Sequence, residues 1–534
     1  MVHQRFPLTR LLSASPGRLA RFIMLALGGA LTALTTVIPD VGLLEWISLI
    51  PAALVVLGLA LDHRTKLRHA YGYGLFFFMS YYCVIYHWFV ALYPLEPTGM
   101  SRGSALVVVI AGWFGLSLLQ ALGGGLIFVG MVLLGRTPLV KRISLLLPAL
   151  AGALWCIFEW SQTFFWTGVP WGRLPRGQIK TLLMLRSSAF FGSYFVTFMI
   201  VAVNFTVALG LLERKKIKLC SACAGVLVIV NLLLGVSSTL IYQNDDGETF
   251  RVAAIQGNIA SADKWAMDAE TIFDIYAELS YEAAQEGAEL IVWPETAMPI
   301  TLKDNPNRVM RMQALAMVCE ADILVGMFTD DGNGANQNAL VLFRRDGSIS
   351  EDIYAKRRLV PFGEYVPMRA LIETLIPPLT EVAMLEEDLA PGKDSGIIDC
   401  NGVSLGSLIC FDSIYERETI SSVRDGAELL VLSTNDSWFY DSAALYMHLS
   451  QAKMRAIESG RYIVRAANTG ISAVIDGRGN VIETLGSMGR GYIVEDVYTS
   501  QTQTLYTHIG NSWVYIMILF VTGMALVGVW KKDN

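Results

Sequence analysis

Leu290-Ile-Val-Trp-Pro-Glu295-Thr296 is a short apolar run stopped by a proline, with a carboxylate directly beyond it. A run this apolar, without alternation, reads as a strand covered on both faces, and Pro294 ends its ladder. Two later stretches repeat the design with other chemistry: Ile353-Tyr-Ala-Lys356, and Ser407-Leu-Ile-Cys410-Phe411-Asp412. Each sets one reactive group, a base, a cation or a thiol, at or near a strand end. A thiol nucleophile needs a proton acceptor and a group that stabilises charge on an attacked carbonyl.

Outward from these stretches, strands and helices alternate. Phe250 to Gln256 reads as a strand, Ala269 to Glu286 as a helix, and Asn307 to Glu320 as another. Ile323 to Phe328 is a strand, followed by a hairpin of Ala339–Arg344 and Ser348–Tyr354 through Asp346-Gly347. Later strands are Val403–Ile409, Leu429–Ser433, Ile463–Ala466, Ser472–Ile475 and Val481–Thr484. Apolar strands between helices indicate a layered α/β domain. The polar stretches Gln243–Thr249 and Asp496–Thr507 read as its two connections.

The rest of the chain belongs to a different solvent. Of 534 residues 53% are hydrophobic and only 16% charged, with a mean hydropathy of +0.46, a membrane-protein composition. Eight stretches reach the ~20 residues needed to cross a bilayer core, beginning near Phe22, Leu43, Ala70, Ser104, Ile143, Ser187, Leu219 and Ile509. The second is the weakest, since it carries Glu45 and Pro51. The first has the flanks of a signal peptide, but the spans that follow favour an uncleaved helix.

Arg5, Arg10, Arg18 and Arg21 precede the first span, and Arg64, Lys66 and Arg68 follow the second. Arg136, Lys141 and Arg142 follow the fourth, Arg214, Lys215, Lys216 and Lys218 the sixth, and Lys531 and Lys532 the eighth. With eight spans all these clusters share one side, which the positive-inside rule makes cytoplasmic. Both termini are then cytoplasmic and the α/β block lies outside the cytoplasm. The expected division is a seven-helix membrane region over residues 1–244, an α/β domain over 245–508, and an eighth helix with a cytoplasmic tail over 509–534. The net charge of −6 is modest and says little about partners, but the lack of a basic run with interleaved aromatics argues against a nucleic-acid partner.

Blander readings compete. Cys410 can be core, or half of a disulfide with Cys400. Glu295 can cap a turn, and Lys356 can be a surface charge beside Arg357 and Arg358. Buried behind Trp-Pro, Glu295 would gain proton affinity suited to a general base, and a cation beside Cys410 would favour the thiolate. Cys220-Ser-Ala-Cys223 has a redox or metal spacing but sits in an apolar span. No histidine pair has metal-ligand spacing, so no metal and no cofactor is expected. Nor does a Gly-x-Ser-x-Gly motif support a Ser-His-Asp reading.

Trp293-Pro-Glu295-Thr, the stretch from Lys356 through Pro-Phe-Gly-Glu364-Tyr-Val-Pro, and Ile409-Cys410-Phe-Asp resemble the three motifs of the nitrilase superfamily, in its order. Asn435-Asp-Ser-Trp438-Phe, Arg465-Ala-Ala-Asn468-Thr-Gly470-Ile-Ser and Thr167-Gly-Val-Pro-Trp171-Gly more narrowly resemble apolipoprotein N-acyltransferases. The resemblance covers essentially the whole chain. It implies eight membrane helices with an αββα nitrilase-like domain inserted before the last, in a bacterial inner membrane with that domain periplasmic. It implies that Cys410 takes an sn-1 acyl chain from a phospholipid, typically phosphatidylethanolamine, as a thioester. Glu295 is the implied base, Lys356 the stabiliser of the tetrahedral intermediate, and Glu364 a further essential acid. The implied acceptor is the amine of a diacylglyceryl-cysteine apolipoprotein. Trp171, Trp438 and Asn435 are implied to contact substrate. One departure stands out: Phe411-Asp412 replaces the family's common Tyr-Glu, keeping the carboxylate on a shorter reach. The alternatives are a membrane-tethered amidase, in which water resolves the acyl-enzyme, and a scaffold with an inactive nitrilase fold.

Overall fold

The computed structural model describes residues 17–62, 64–95, 98–242, 247–375 and 387–530. The expected charges at Arg5, Arg10, Lys531 and Lys532 lie outside these residues. The chain forms two compact units, one of Met1–His87, Ile110–Ser238 and Ile509–Asn534, the other of Trp88–Val109 and Thr239–His508.

The second unit is a four-layer αββα sandwich, built as the strand and helix pattern implies. Its strands are β1 (Thr249–Gln256), β2 (Leu290–Val292), β3 (Asp322–Asp330), β4 (Asn336–Phe343), β5 (Ile349–Ala355), β6 (Ile397–Cys400), β7 (Val403–Ile409), β8 (Leu429–Thr434), β9 (Ile463–Ala467), β10 (Ser472–Ile475), β11 (Val481–Leu485) and β12 (Gly491–Tyr498). They form two six-stranded sheets ordered β12-β1-β2-β3-β4-β5 and β11-β10-β9-β8-β7-β6. The inner strands β1–β2–β3 and β7–β8–β9 are parallel.

The period-2 alternation of strands sorts side chains between layers. Val252 and Ala254 of β1, Leu405 and Ile409 of β7, and Leu429 and Val431 of β8 fill the core between the sheets. Ala253 and Ile255 face the other way, toward α1 (Ala269–Gln285) and α2 (Pro306–Cys319). Leu408, Leu430 and Leu432 face α3 (Glu416–Arg424) and α4 (Ala443–Ser459). Both faces of both sheets are covered, which explains strands that lack polar alternation.

Two strands escape the sequence pattern. β6 is four residues long, and β12 occupies part of the segment read as a connection. Thr249 pairs with Tyr498 and Gln256 with Gly491, so β12 continues the sheet antiparallel to β1. Its exposed Asp496 and the polar residues that follow Tyr498 gave that segment a linker-like composition.

In the first unit, five helical segments among the described residues are long and apolar enough to cross a membrane: Arg18–Val37, Pro39–Leu61, Arg102–Gly135, Ser193–Leu212 and Arg214–Ile241. Leu67–Ile85, Leu146–Ser161 and Ser512–Trp530 are further helices at the remaining expected positions. Glu45, the charge that weakened the second stretch, is fully buried and accepts from Gln178 Nε2 at 2.7 Å. Glu159 is buried too, accepting from Thr197 Oγ1 at 2.6 Å and the Leu174 amide at 3.0 Å. Such internal partners are what make an intramembrane carboxylate tolerable. Gln178 and Leu174 both belong to residues 170–180, short 3-10 turns that include the buried Trp171, whereas Thr197 lies on the helix Ser193–Leu212.

Candidate active site

Three strand ends build the site. Past β2, the Trp293-Pro294-Glu295 turn is fixed from behind: Trp293 stacks on Tyr276 with centroids 4.9 Å apart, and its Nε1 donates to Ser280 at 2.8 Å. Gly326 on β3 lets this turn pass, because a Cβ there would stand 2.2 Å from the Pro294 carbonyl oxygen. The turn delivers Glu295 only 6% exposed. Lys356 directly follows β5 and is 2% exposed, so it is not a surface charge. Its neighbours Arg357 and Arg358 point elsewhere and share Glu418 at 3.0 and 2.7 Å.

Lys356 Nζ donates to Glu295 Oε1 at 2.8 Å and to Glu364 Oε2 at 2.9 Å. Asn338 on β4 bridges the same two acids, its Nδ2 lying 2.8 Å from Glu295 Oε1 and 2.9 Å from Glu364 Oε1. The Asn435 amide donates to Glu295 Oε2 at 2.8 Å, and the Val360 amide to Glu364 Oε2 at 2.8 Å. Glu295 is therefore held from three directions rather than merely desolvated. Burial alone would lower the Lys356 pKa, but Glu295 and Glu364 outweigh it and hold the ammonium well above its usual range.

Cys410 opens a 3-10 turn, Cys410–Ile414, at the end of β7 and is half-buried. Its φ of +47° lies in the left-handed region, a conformation that L side chains adopt when the surroundings over-determine it. Asp412 secures the turn: its carboxylate accepts from the Arg358 amide at 2.8 Å, Tyr354 Oη at 2.7 Å and the Ile409 amide at 3.1 Å. The short Asp side chain thus reaches three donors, and its neighbour Phe411 packs edge-on to Tyr415 at 5.4 Å. Burial and the nearby Glu418 push the Asp412 carboxyl up to about 6, against the Tyr354 hydrogen bond and the Lys356 charge.

The thiol differs from expectation in one respect. Burial and the Glu295 carboxylate raise the Cys410 pKa well above its usual value, and Lys356 only partly offsets them. At rest it is a thiol, and the adjoining carboxylate is the natural recipient of its proton. All seven cysteines are free, which removes the Cys400–Cys410 disulfide; Cys400 Sγ instead lies 3.2 Å from Asp322 Oδ2.

Asn435 carries the site further through its side chain, which accepts from Ser437 Oγ at 2.9 Å and Asn468 Nδ2 at 3.0 Å. Trp438 is half-buried in the 3-10 turn Ser437–Phe439, where Phe439 meets Trp88 edge-on at 5.1 Å. Trp171 belongs to the other unit.

Three groups have no local sequence signal. Asn338 is one. Lys264, 2% exposed, donates to the Thr296 carbonyl at 2.7 Å and to Thr296 Oγ1 at 3.1 Å, bracing the turn that carries Glu295. Burial lowers its pKa to about 8, against the pull of Glu295. His448, on α4, is the third. Donor atoms of Cys410, Asp436 and His448 fall within 4.8 Å of one another. Metal binding does not fit this set, because Arg465 Nη2 lies 2.5 Å from Asp436 and 3.3 Å from His448 Nδ1. The guanidinium already supplies the positive charge a metal would bring.

A buried carboxylate, an ammonium and a thiol on strand ends of an αββα sandwich define a nitrilase-like enzyme of thiol acyl chemistry. Residues 251–506 match the Carbon-nitrogen hydrolase family, and residues 28–206 the Apolipoprotein N-acyltransferase N-terminal domain. The apolipoprotein N-acyltransferase of Geobacter metallireducens is 30% identical over 96% of this chain and 96% of its own. That of Gloeobacter violaceus is 30% identical over 95% and 93%, and that of Allorhizobium ampelinum 32% identical over 88% and 88%. The chain belongs to the apolipoprotein N-acyltransferase family, and it is a membrane protein with a nitrilase-like domain in its C-terminal half.

Proposed function

We propose that this chain moves an acyl chain from a phospholipid, through a thioester on Cys410, to the N-terminal amine of a diacylglyceryl-cysteine apolipoprotein. The observation that carries the reading is the buried chain Glu364–Lys356–Glu295 together with Cys410 at the end of β7. In the first step the Cys410 sulfur attacks the sn-1 ester carbonyl of a donor such as phosphatidylethanolamine. A C–S bond forms, the thiol proton passes to Glu295, and Lys356 faces the developing oxyanion. The ester C–O bond then breaks and the proton leaves with the lysophospholipid.

In the second step the acceptor amine attacks the thioester, Glu295 receives an amine proton, and the C–S bond breaks to return the thiol. No external oxidant, nucleotide or metal enters this balance. Glu364 and Asn338 position Lys356 and Glu295; Asp412 and Phe411 shape the turn that presents the sulfur. Asn435, Trp438 and Trp171 are assigned to substrate contact.

In this reading eight helices cross a bacterial inner membrane, with residues 1–244 carrying seven and 509–534 the eighth. Both termini are cytoplasmic and the domain of residues 245–508 is periplasmic. The basic clusters Arg64–Arg68, Arg136–Arg142 and Arg214–Lys218 support that orientation. The test is incubation of the purified protein with a fluorescent phosphatidylethanolamine and a diacylated lipopeptide. N-acylated peptide is expected. Free fatty acid without acylated peptide would replace the transferase with a hydrolase.

A further inference from the structure

Behind the nucleophile lies a chain of buried polar groups that takes no part in the proton transfers above. Ser413 Oγ donates to the Cys410 carbonyl at 2.8 Å. His448 Nε2 lies 3.0 Å from that hydroxyl and 3.2 Å from the same carbonyl oxygen, so ring, hydroxyl and carbonyl close a triangle. His448 Nδ1 is 2.8 Å from Asp436 Oδ1. Because carboxylate and carbonyl oxygens only accept, the ring donates in both contacts, from Nδ1 to Asp436 and from Nε2 toward the Cys410 carbonyl.

Asp436 is itself over-determined. Thr434 Oγ1 donates to its Oδ1 at 2.9 Å, and Arg465 Nη2 to its Oδ2 at 2.5 Å. Gly470 makes room for it, since a Cβ there would lie 2.4 Å from Asp436 Oδ2. Ser413, His448, Asp436, Thr434 and Arg465 are each at most 1% exposed. They come from the Cys410 turn, α4, β8 with the residues just after it, and β9, so four separate elements converge behind one peptide carbonyl.

Burying an Arg–Asp–His chain beside an apolar layer is a poor way to gain stability, because desolvation offsets most of the attraction. Its geometric product is specific: it holds the carbonyl of the one residue whose left-handed backbone aims the thiol. We propose that His448, anchored by Asp436 and Arg465 and working with Ser413, is a positioning residue that locks Cys410 in its attacking conformation. This rests on Cys410 being the nucleophile.

The test uses the full-length protein in detergent with two readouts: single-turnover acylation by phosphatidylethanolamine, and alkylation of Cys410 by iodoacetamide located by peptide mass spectrometry. His448→Ala is expected to slow acylation about 100-fold, the scale of an ångström misplacement of a reacting atom. Donor KM should stay unchanged and alkylation should slow in parallel. His448→Gln, which keeps a polar amide where Nε2 stands, should recover about tenfold of the loss. Ser413→Ala removes one arm of the triangle without touching the Arg–Asp–His chain, and should show a smaller loss of the same kind even where His448→Ala folds poorly. Wild-type alkylation and acylation rates in well-folded His448→Ala or Ser413→Ala would overturn the proposal. So would losses that merely track the unfolded fraction. Alkylation reports on Cys410 whatever its role, so full transfer by Cys410→Ala would instead remove the nucleophile reading.

Discussion

Asp412 is where this chain departs from its family's common residues, and its environment makes the consequence measurable. The carboxylate satisfies two backbone amides and Tyr354 Oη around the nucleophile turn, yet burial holds its carboxyl at about 6. An unfolded Asp titrates near ~3.9, so across the interval between these values the folded protein binds more protons than the unfolded chain. Stability from this group is therefore greatest below the interval and declines as pH rises through it. Asp412→Asn should lack that pH dependence, so the melting temperature of the wild type relative to the variant should fall as pH rises from 4 to 7. Activity should go the other way. Protonation below about 6 removes an acceptor from the turn, so wild-type acylation should fall there, while Asp412→Asn should be at least about tenfold slower at neutral pH and lack that acid limb. An unchanged acid limb in the variant would assign it to another group.

At the scale of elements, the site depends on how closely β3 lets the Trp293-Pro294-Glu295 turn approach. Gly326→Ala puts a Cβ against the Pro294 carbonyl and the Thr296 amide, and neither backbone atom can rotate away. Overpacking of this kind costs about 1–3 kcal/mol. Thermal unfolding should register that loss, with acylation falling by more than stability explains because Glu295 rides on the displaced turn. A variant with wild-type activity would show that the turn has slack. The same elements explain what the sequence disclosed. Glu295 and Cys410 stood out because each ends an apolar run, and Lys356 because it leads from a strand into a loop with Pro361, Gly363 and Pro367; the hairpin at Asp346-Gly347 and helices α1 and α2 followed their patterns. Asn338 was hidden because it lies within β4, a strand read only from Ala339 onward, and its partners come from two other segments. His448 reads as one polar residue on a mostly buried helix, and only the fold brings it to Cys410. The end of β12 was read as a connection because Asp496 and the polar residues beyond Tyr498 resemble a linker, while its pairing partner lies at the other end of the domain.

For the whole molecule, the membrane unit and the nitrilase-like unit have opposite solvent problems with related solutions. In the helices, Glu45 and Glu159 find donors inside the protein, so apolar surfaces can meet lipid. In the sandwich, the central strands bury both faces, and the polar groups of the site gather at strand ends, joined by Asn338 from within β4 and Arg465 from within β9. The proposed reaction brings an acyl donor from the bilayer to a thiol on a strand end, and the account stands on the acyl group resting on that thiol in between. The most direct measurement is intact-protein and peptide mass spectrometry after incubation with phosphatidylethanolamine and no acceptor. The expected result is one acyl chain on Cys410, released by hydroxylamine, discharged onto added diacylated lipopeptide, and missing in Cys410→Ala. An enzyme that turns over with Cys410 unmodified, or with the acyl chain on another residue, would contradict it.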